Sequence, residues 1–579
     1  MLSMHMPQAV SSPSLPRPPK IRQVTWRRLP AAWVALLAYT VLAVALFSRT
    51  WVDPAGSWIG SPKDPQLFIW YLGWIPHELG QGHNPLFTDF LSYPAGVNLM
   101  WNTSMIFPAV VLWPVTALFG PVVAYNLLIT AGIALSAWCA YLAARRFLDR
   151  PIACFLAGLV YGFSPALIAQ ALGHPHVVVA LFPPVALLLG HEILVRRRMH
   201  PVVAGALAGL AAGLQLLTGE EMLAMTLLIA LVGVALLTLM RRGEARAAWP
   251  HAGKAAGVAV IVFAIIAAYP LAFQFLGRQR VYGSVQQPDV YVSDLLAFVS
   301  PRQLIHFTGN IAENGAYVGL PLLVLFVAGV LAGRGQAWVR WTAATTIVAV
   351  VLSLGPHLHV DGNVTQVPLP WAVVAWLPLM GSALPARLMV IAFLGIGLIA
   401  GAAVAIALQA TRPWRIATGV AVVASLTAIV PWVPYPSQPA AVPAFFRPGG
   451  DVGKIAPGAV VLITPFSSKE STDAMYWQAT ARYRFRMIEG DAFTPGPYLG
   501  PHPSFLKSVL DDLEAGKSAT PTPDVRARFT ADLKQSEVTA ILAGPSPGHD
   551  AIVAFVTEVE GTPPIVDQGV AVWWLLAIT

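Results

Sequence analysis

The stretch MIFPAVVLWPVTALF, residues 105–119, decides how this chain is folded. It is apolar, yet it falls short of the ~20 residues a helix needs to cross ~30 Å of hydrocarbon, and Pro108 and Pro114 interrupt it. If it crossed a bilayer, Arg145-Arg146, Arg196-Arg197-Arg198 and Arg241-Arg242 would face the opposite compartment from Arg27-Arg28, which precede the first apolar run. If it rests on the outer leaflet, all four clusters share one side. Lys and Arg accumulate in cytoplasmic loops, so the second arrangement is expected.

Composition agrees with a membrane protein. Of the 579 residues 56% are apolar and only 11% charged, with a mean hydropathy of +0.64; soluble domains carry about 25% charged residues. The formal charge of +8 sits in short basic clusters between apolar runs, which marks topology rather than nucleic-acid binding. Cys139 and Cys154 both fall inside apolar runs, so neither a disulfide framework nor a Cys/His zinc spacing exists. There is no Walker loop and no GxGxxG after a strand, so ATP and NAD are not implied.

The apolar runs predict about eleven transmembrane helices. The first is Ala31–Phe47, followed by Val122–Ala144, Ile152–Leu172, Val177–Val195, Val202–Leu217 and Met222–Met240. Ala255–Phe275, Ala316–Leu331, Trp341–Leu354, Leu388–Leu408 and Ile416–Val433 complete the set. The expected fold is thus an α-helical polytopic protein of the cell inner or plasma membrane. Residues 1–30, Pro/Ser-rich and basic, are expected to be a disordered cytoplasmic tail, and 31–434 a transmembrane domain with a large first outer loop at 48–120. Residues 435–579 are more charged, with short β-rich runs (Val460–Thr464, Val538–Leu542, Ala571–Ile578) and amphipathic stretches at Leu506–Glu514 and Val525–Leu533. They predict a small C-terminal extracytoplasmic α/β domain.

Polar residues gather at the outer ends of these runs. Asp53-Pro54 and Asp64-Pro65 read locally as a helix N-cap with Pro at the first helical position. In Gln66–Leu79, Gln66, Trp70 and Trp74 recur every fourth residue and share one helix face. His174 and His176 close the third run, Glu220 and Glu221 lie between two later ones, Glu313 precedes another, and Arg387 opens the tenth. Charges this close to hydrocarbon are costly unless paired or lining a wet cavity, so pairing of Glu220 or Glu221 with Arg387 competes with a functional role. His174, His176, Asp64 and the two glutamates make a divalent metal conceivable without any firm ligand set.

With these pieces in place the layout resembles the GT-C superfamily of polytopic membrane glycosyltransferases. The matching motifs are Lys63-Asp64-Pro65-Gln66 with Trp70 and Trp74, His83-Asn84-Pro85-Leu86-Phe87, Tyr93-Pro94-Ala95-Gly96 and Tyr125-Asn126-Leu127. Glu313 with Tyr317-Val318-Gly319-Leu320-Pro321, Leu354-Gly355-Pro356 and Leu384-Pro385-Ala386-Arg387 continue the pattern. The family often shows paired acids in the first loop, whereas here Lys63 precedes Asp64 and Gln66 follows it. The resemblance implies inverting transfer from a polyprenyl-phosphate sugar donor to a glycan, lipid or protein acceptor outside the bilayer. Asp64 would be the catalytic base. Arg387, with Arg302 and Arg280 in reserve, would bind the donor phosphate. Gln66, Trp70, Trp74, His174, His176, Glu220, Glu221 and Glu313 would contact substrate. Two rival classes are a lipid or sugar-conjugate flippase, which usually places ionisable groups at the midplane, and a non-catalytic envelope assembly factor.

Overall fold

The computed structural model describes residues 29–575 except 284, 285, 288, 310–312, 432, 468–470, 496, 497 and 500–503. The expected disordered tail therefore lies outside the described residues, apart from its last two. Among the described residues six helices are long and apolar enough to cross a membrane: Pro121–Ala144, Pro151–Gln170, Pro175–Arg196, Glu220–Met240, Arg242–Leu276 and Pro385–Ala407. Four shorter apolar helices, Pro30–Leu46, Pro201–Leu216, Leu320–Gly333 and Ala337–Ser353, pack among them. The expected eleventh run forms the helix Arg412–Ile429. Many of these helices begin with proline in the first turn, among them Pro121, Pro151 and Pro201, where its missing N–H costs nothing and its fixed φ favours the helix.

The expected uninterrupted run Ile152–Leu172 is bent. It breaks at Ser164, whose side chain accepts from Leu167 N at 3.3 Å and so caps a second short helix, Pro165–Gln170. Elsewhere helices approach closely through small residues. A Cβ on Gly205 would stand 2.2 Å from Ala255 O, and one on Gly209 2.4 Å from Ala259 O, which seats Pro201–Leu216 directly against Arg242–Leu276.

Residues 105–119 form two short helices, Ile106–Val111 and Trp113–Phe119, meeting at Leu112. Neither reaches spanning length. The polar ends and the basic ends of the helices consequently separate. Pro175–Arg196 runs from His176 to Arg196, and Glu220–Met240 runs from its glutamates to Arg241.

Residues beyond 459 build a five-stranded sheet. Its central strands, Val460–Thr464 and Val538–Ala543, pair in parallel; Arg486–Met487 extends one side in parallel, and Val570–Trp574 and Ile565–Asp567 extend the other antiparallel. The helices Phe505–Glu514, Pro523–Gln535 and His549–Glu560 cover it, burying Leu510, Phe529 and Phe555. The first loop is stitched to this unit. Met487 N donates to Phe90 O, and Tyr93 N to Met487 O, both at 3.0 Å, while Ser57–Ile59 pairs antiparallel with Ser437–Pro439.

Candidate active site

The helix Asp64–Gly80 carries the first candidate residue. Asp64 is not the N-cap of this helix that its Asp-Pro sequence led one to expect. Lys63 occupies the cap position without a side-chain cap bond, and Asp64 is the first helical residue with Pro65 behind it. The carboxylate is thereby free of capping duty. Asp53 instead closes a turn, accepting from Gly56 N at 3.0 Å.

Neighbouring backbone holds Asp64 in place. Asn126 accepts from Ile59 N at 3.0 Å and donates to Pro54 O and Ser57 O at 2.9 and 2.8 Å, clamping the first loop to a spanning helix. Ser61 N donates to Leu172 O at 2.7 Å. Gly60 adopts φ +113°, and a Cβ there would meet Leu172 O at 2.3 Å. A Cβ on Gly173 would lie 2.6 Å from Asp64 Cβ. The two segments touch so closely because both positions lack side chains.

From Asp64 a line of polar groups runs inward. Asp64 Oδ2, on a side chain 44% exposed, lies 3.5 Å from His174 Nε2, and His174 Nδ1 lies 3.5 Å from Glu313 Oε1. Glu313 is buried and accepts from Gln170 Nε2 at 2.9 Å and from Arg387 Nε at 3.0 Å. Arg387 also donates to Glu221 Oε2 and, at 3.3 Å, to His176 Nε2; Glu221 Oε1 accepts from Leu384 N at 2.6 Å. Burial works against the charge on Glu313, but the guanidinium of Arg387, then His174, outweigh it and hold the carboxyl below the usual range. Burial followed by Arg387 depresses His174, against the opposing pull of Glu313 and Asp64, so its imidazole is neutral at pH 7. A neutral imidazole has one N–H and one acceptor nitrogen. His174 thus faces two carboxylates with a single proton to share.

Asp64, His174, His176, Glu221, Glu313 and Arg387 are therefore brought together, and other sequence expectations need correction. Arg387 does not present a free cation to a donor phosphate, because two glutamates already neutralise it. Of the two pairing partners foreseen for it, Glu221 is the one used, with Glu313 added. Glu220 turns away and accepts from Gln274 Nε2 at 2.9 Å. Gln66, Trp70 and Trp74 share a face as expected, but that face is buried rather than open to sugar. Gln66 Oε1 accepts from Thr472 Oγ1 at 2.6 Å, Trp70 Nε1 donates to Gln478 Oε1 at 2.7 Å, and Trp74 Nε1 donates to Pro85 O at 3.2 Å. Burying these long side chains against the C-terminal unit is worth more than leaving them in water. Arg280 is exposed and bonds Phe275 O at 3.2 Å, apart from the cluster. Arg302 donates to Asn314 O at 3.3 Å, next to Glu313.

The two histidines diverge, His174 towards carboxylates and His176 towards the Arg387 cation, so His-x-His does not form a chelate. Among the described residues no group of three His, Cys, Asp or Glu side chains is arranged to hold a metal. Two members were missed in the sequence. Gln170, a polar residue ending an apolar run, carried a detectable signal. Tyr291 carried none, being one tyrosine in a polar loop. Burial, then Glu313 and Asp64, raise its hydroxyl, and its carbonyl accepts from Ala386 N at 3.2 Å.

No curated protein sequence matches the chain. Among solved structures, the arabinofuranosyltransferase AftD from Mycobacteria is similar in fold, with a TM-score of 0.54 at 13% identity over 95% of this chain. This chain spans 42% of the length of that enzyme. The oligosaccharyltransferase of Archaeoglobus fulgidus aligns over 90% of this chain and 70% of its own, with 12% identity and a TM-score of 0.46. A further structure of that archaeal protein, AglB, holds an inhibitory peptide and a dolichol-phosphate, with a TM-score of 0.46 at 13% identity over 90% of this chain and 70% of that one. The likeness to AftD is one of fold. A family profile described as a domain of unknown function, DUF6311, matches residues 35–426, and the chain belongs to that family.

Proposed function

We propose that this chain is a glycosyltransferase that moves a sugar from a polyprenyl-phosphate donor to a hydroxyl of a cell-envelope glycan, lipid or protein, with inversion. The observation that carries the reading is the position of Asp64, a half-exposed carboxylate at a helix start, backed by His174 and a sealed Glu313–Arg387–Glu221 network. Nucleotide sugars are not expected outside the membrane, so a transferase facing outwards draws on a lipid-linked donor. The N-terminus lies in the cytoplasm and the C-terminal unit outside it, following the basic clusters.

In the proposed step the acceptor hydroxyl gives its proton to Asp64 while its oxygen forms a bond to the anomeric carbon. The bond from that carbon to the donor phosphate breaks, and the phosphate leaves with the electron pair. General-base assistance of this kind contributes about 10²–10⁴-fold. His174, lying against Asp64, keeps the carboxylate oriented. With Arg387 committed to its glutamates, Arg302 is the preferred arginine for the leaving phosphate.

The test uses purified protein and a polyprenyl-phosphate sugar. Asp64→Asn should reduce transfer at least a hundredfold without lowering the melting temperature, because this carboxylate is half exposed. Full activity in that variant would remove Asp64 from the chemistry.

A further inference from the structure

We infer that the stretch 363–386, in the loop before the helix that carries Arg387, lies in the outer leaflet of the bilayer and has lipid as its partner. The sequence NVTQVPLPWAVVAWLPLMGSALPA contains no Asp, Glu, Lys, Arg or His. A loop bathed in water rarely stays free of charge over such a length.

The structure shows why burial inside the protein does not account for this. The short helix Trp371–Val374 and its following turn turn Trp371, Val374 and Ala375 inward against the main core. The opposite side is apolar too, with Val373, Trp376, Leu377 and Leu379 exposed, Trp376 by 89%. A helix that is apolar all round belongs in a protein core or in lipid, and this one has only one side in the core. The helix Leu320–Gly333 likewise exposes Leu320, Val324 and Val327. Depth is set by the backbone. The N–H groups of residues 372–377 are bonded locally to carbonyls of 369–374, with Ala375 N donating to Trp371 O at 2.8 Å and Trp376 N to Val373 O at 3.2 Å, which lowers the cost of placing them in hydrocarbon. Among the described residues the strand Asn363–Pro368 pairs only with His357–Val360, which leaves an open edge suited to the headgroup layer. An exposed tryptophan at that level is a common interfacial anchor.

The segment is tied to the polar cluster through Leu384 N, which donates to Glu221 Oε1 at 2.6 Å, and Ala386 N, which donates to Tyr291 O at 3.2 Å. It therefore forms a lipid-side wall next to the Asp64 cluster.

The experiment places a nitroxide at Trp376→Cys, Val373→Cys or the exposed Lys534→Cys in the full chain. The protein is reconstituted in phosphatidylethanolamine–phosphatidylglycerol liposomes. Cys139 and Cys154 are buried, which confines labelling to the introduced thiol. Outward-facing substitutions of this kind cost the fold little, and unchanged melting verifies it. Collision with oxygen should exceed collision with a nickel chelate at 373 and 376, with the reverse at 534. Nickel dominating at 373 and 376 would put the segment in water. Spin–spin broadening between labels, or shielding from both reagents, would show a second copy or another protein covering it. Either result overturns the inference.

Discussion

Arg387 Nε donates to both carboxylate oxygens of Glu313, at 3.2 and 3.0 Å, with both side chains almost fully withdrawn from solvent. With Glu221 on the same guanidinium, the cation is shared by two acids. Removing it should leave two buried carboxylates without their counter-charge. Arg387→Met is expected to cost about 3–5 kcal/mol, read as a fall in melting temperature in detergent. Adding Glu313→Gln and Glu221→Gln should restore most of that loss. A single variant as stable as the parent would mean the pair is not sealed from water.

The His174 imidazole should make folding sensitive to mild acid. Its folded value is depressed below the ordinary 6.5, so the unfolded chain takes up the proton first. Stability is then full above 6.5 and declines as pH falls from there towards the lowered folded value. His174→Gln should flatten this slope between pH 7 and 5 in denaturation measured at several pH values. An identical slope in the variant would assign the effect to other groups.

Gly173 gives Asp64 its position. In Gly173→Ala the new methyl would fall 2.6 Å from Asp64 Cβ, so one of the two segments must shift. A displacement on the order of 1 Å can cost about 10²-fold in rate. Transfer should drop by one to two orders of magnitude, mainly in kcat, while the protein remains folded by circular dichroism.

Gln478 fastens the C-terminal unit to the aromatic helix. It accepts from Trp70 Nε1 and donates to Phe90 O and Phe485 O at 2.9 and 2.8 Å. Gln478→Leu leaves Trp70 Nε1 and Phe485 O without this partner, at about 1–3 kcal/mol each at most, while Phe90 O keeps the bond from Met487 N. The expected outcome is a lower melting temperature and faster proteolytic release of the C-terminal unit. Trp70→Phe should show a smaller loss, since it orphans one acceptor and keeps most of the ring packing.

The apolar runs were legible because spanning a bilayer demands length and hydrophobicity that nothing else mimics. Residues 105–119 form two short helices, as their two prolines and short length suggest. The strands Val460–Thr464 and Val538–Ala543 also stand where β-rich runs predicted them. Partner choice was not legible. Glu220 and Glu221 are adjacent, yet successive helical residues point about 100° apart, so one reaches Arg387 and the other Gln274. Four-residue spacing put Gln66, Trp70 and Trp74 on one face without saying what covers it. The covering helix, Asp473–Thr480, lies some 400 residues later in the chain.

Sequence alone determined that the chain is built for a bilayer and that its acids, histidines and Arg387 collect at one end of the helices, because hydrophobic length and charge placement are local properties. Tertiary structure alone decided that Arg387 is spent on Glu313 and Glu221, that Asp64 stays open beside His174, and that the tryptophans are packing. Those outcomes depend on distances between segments hundreds of residues apart, which only the folded chain sets.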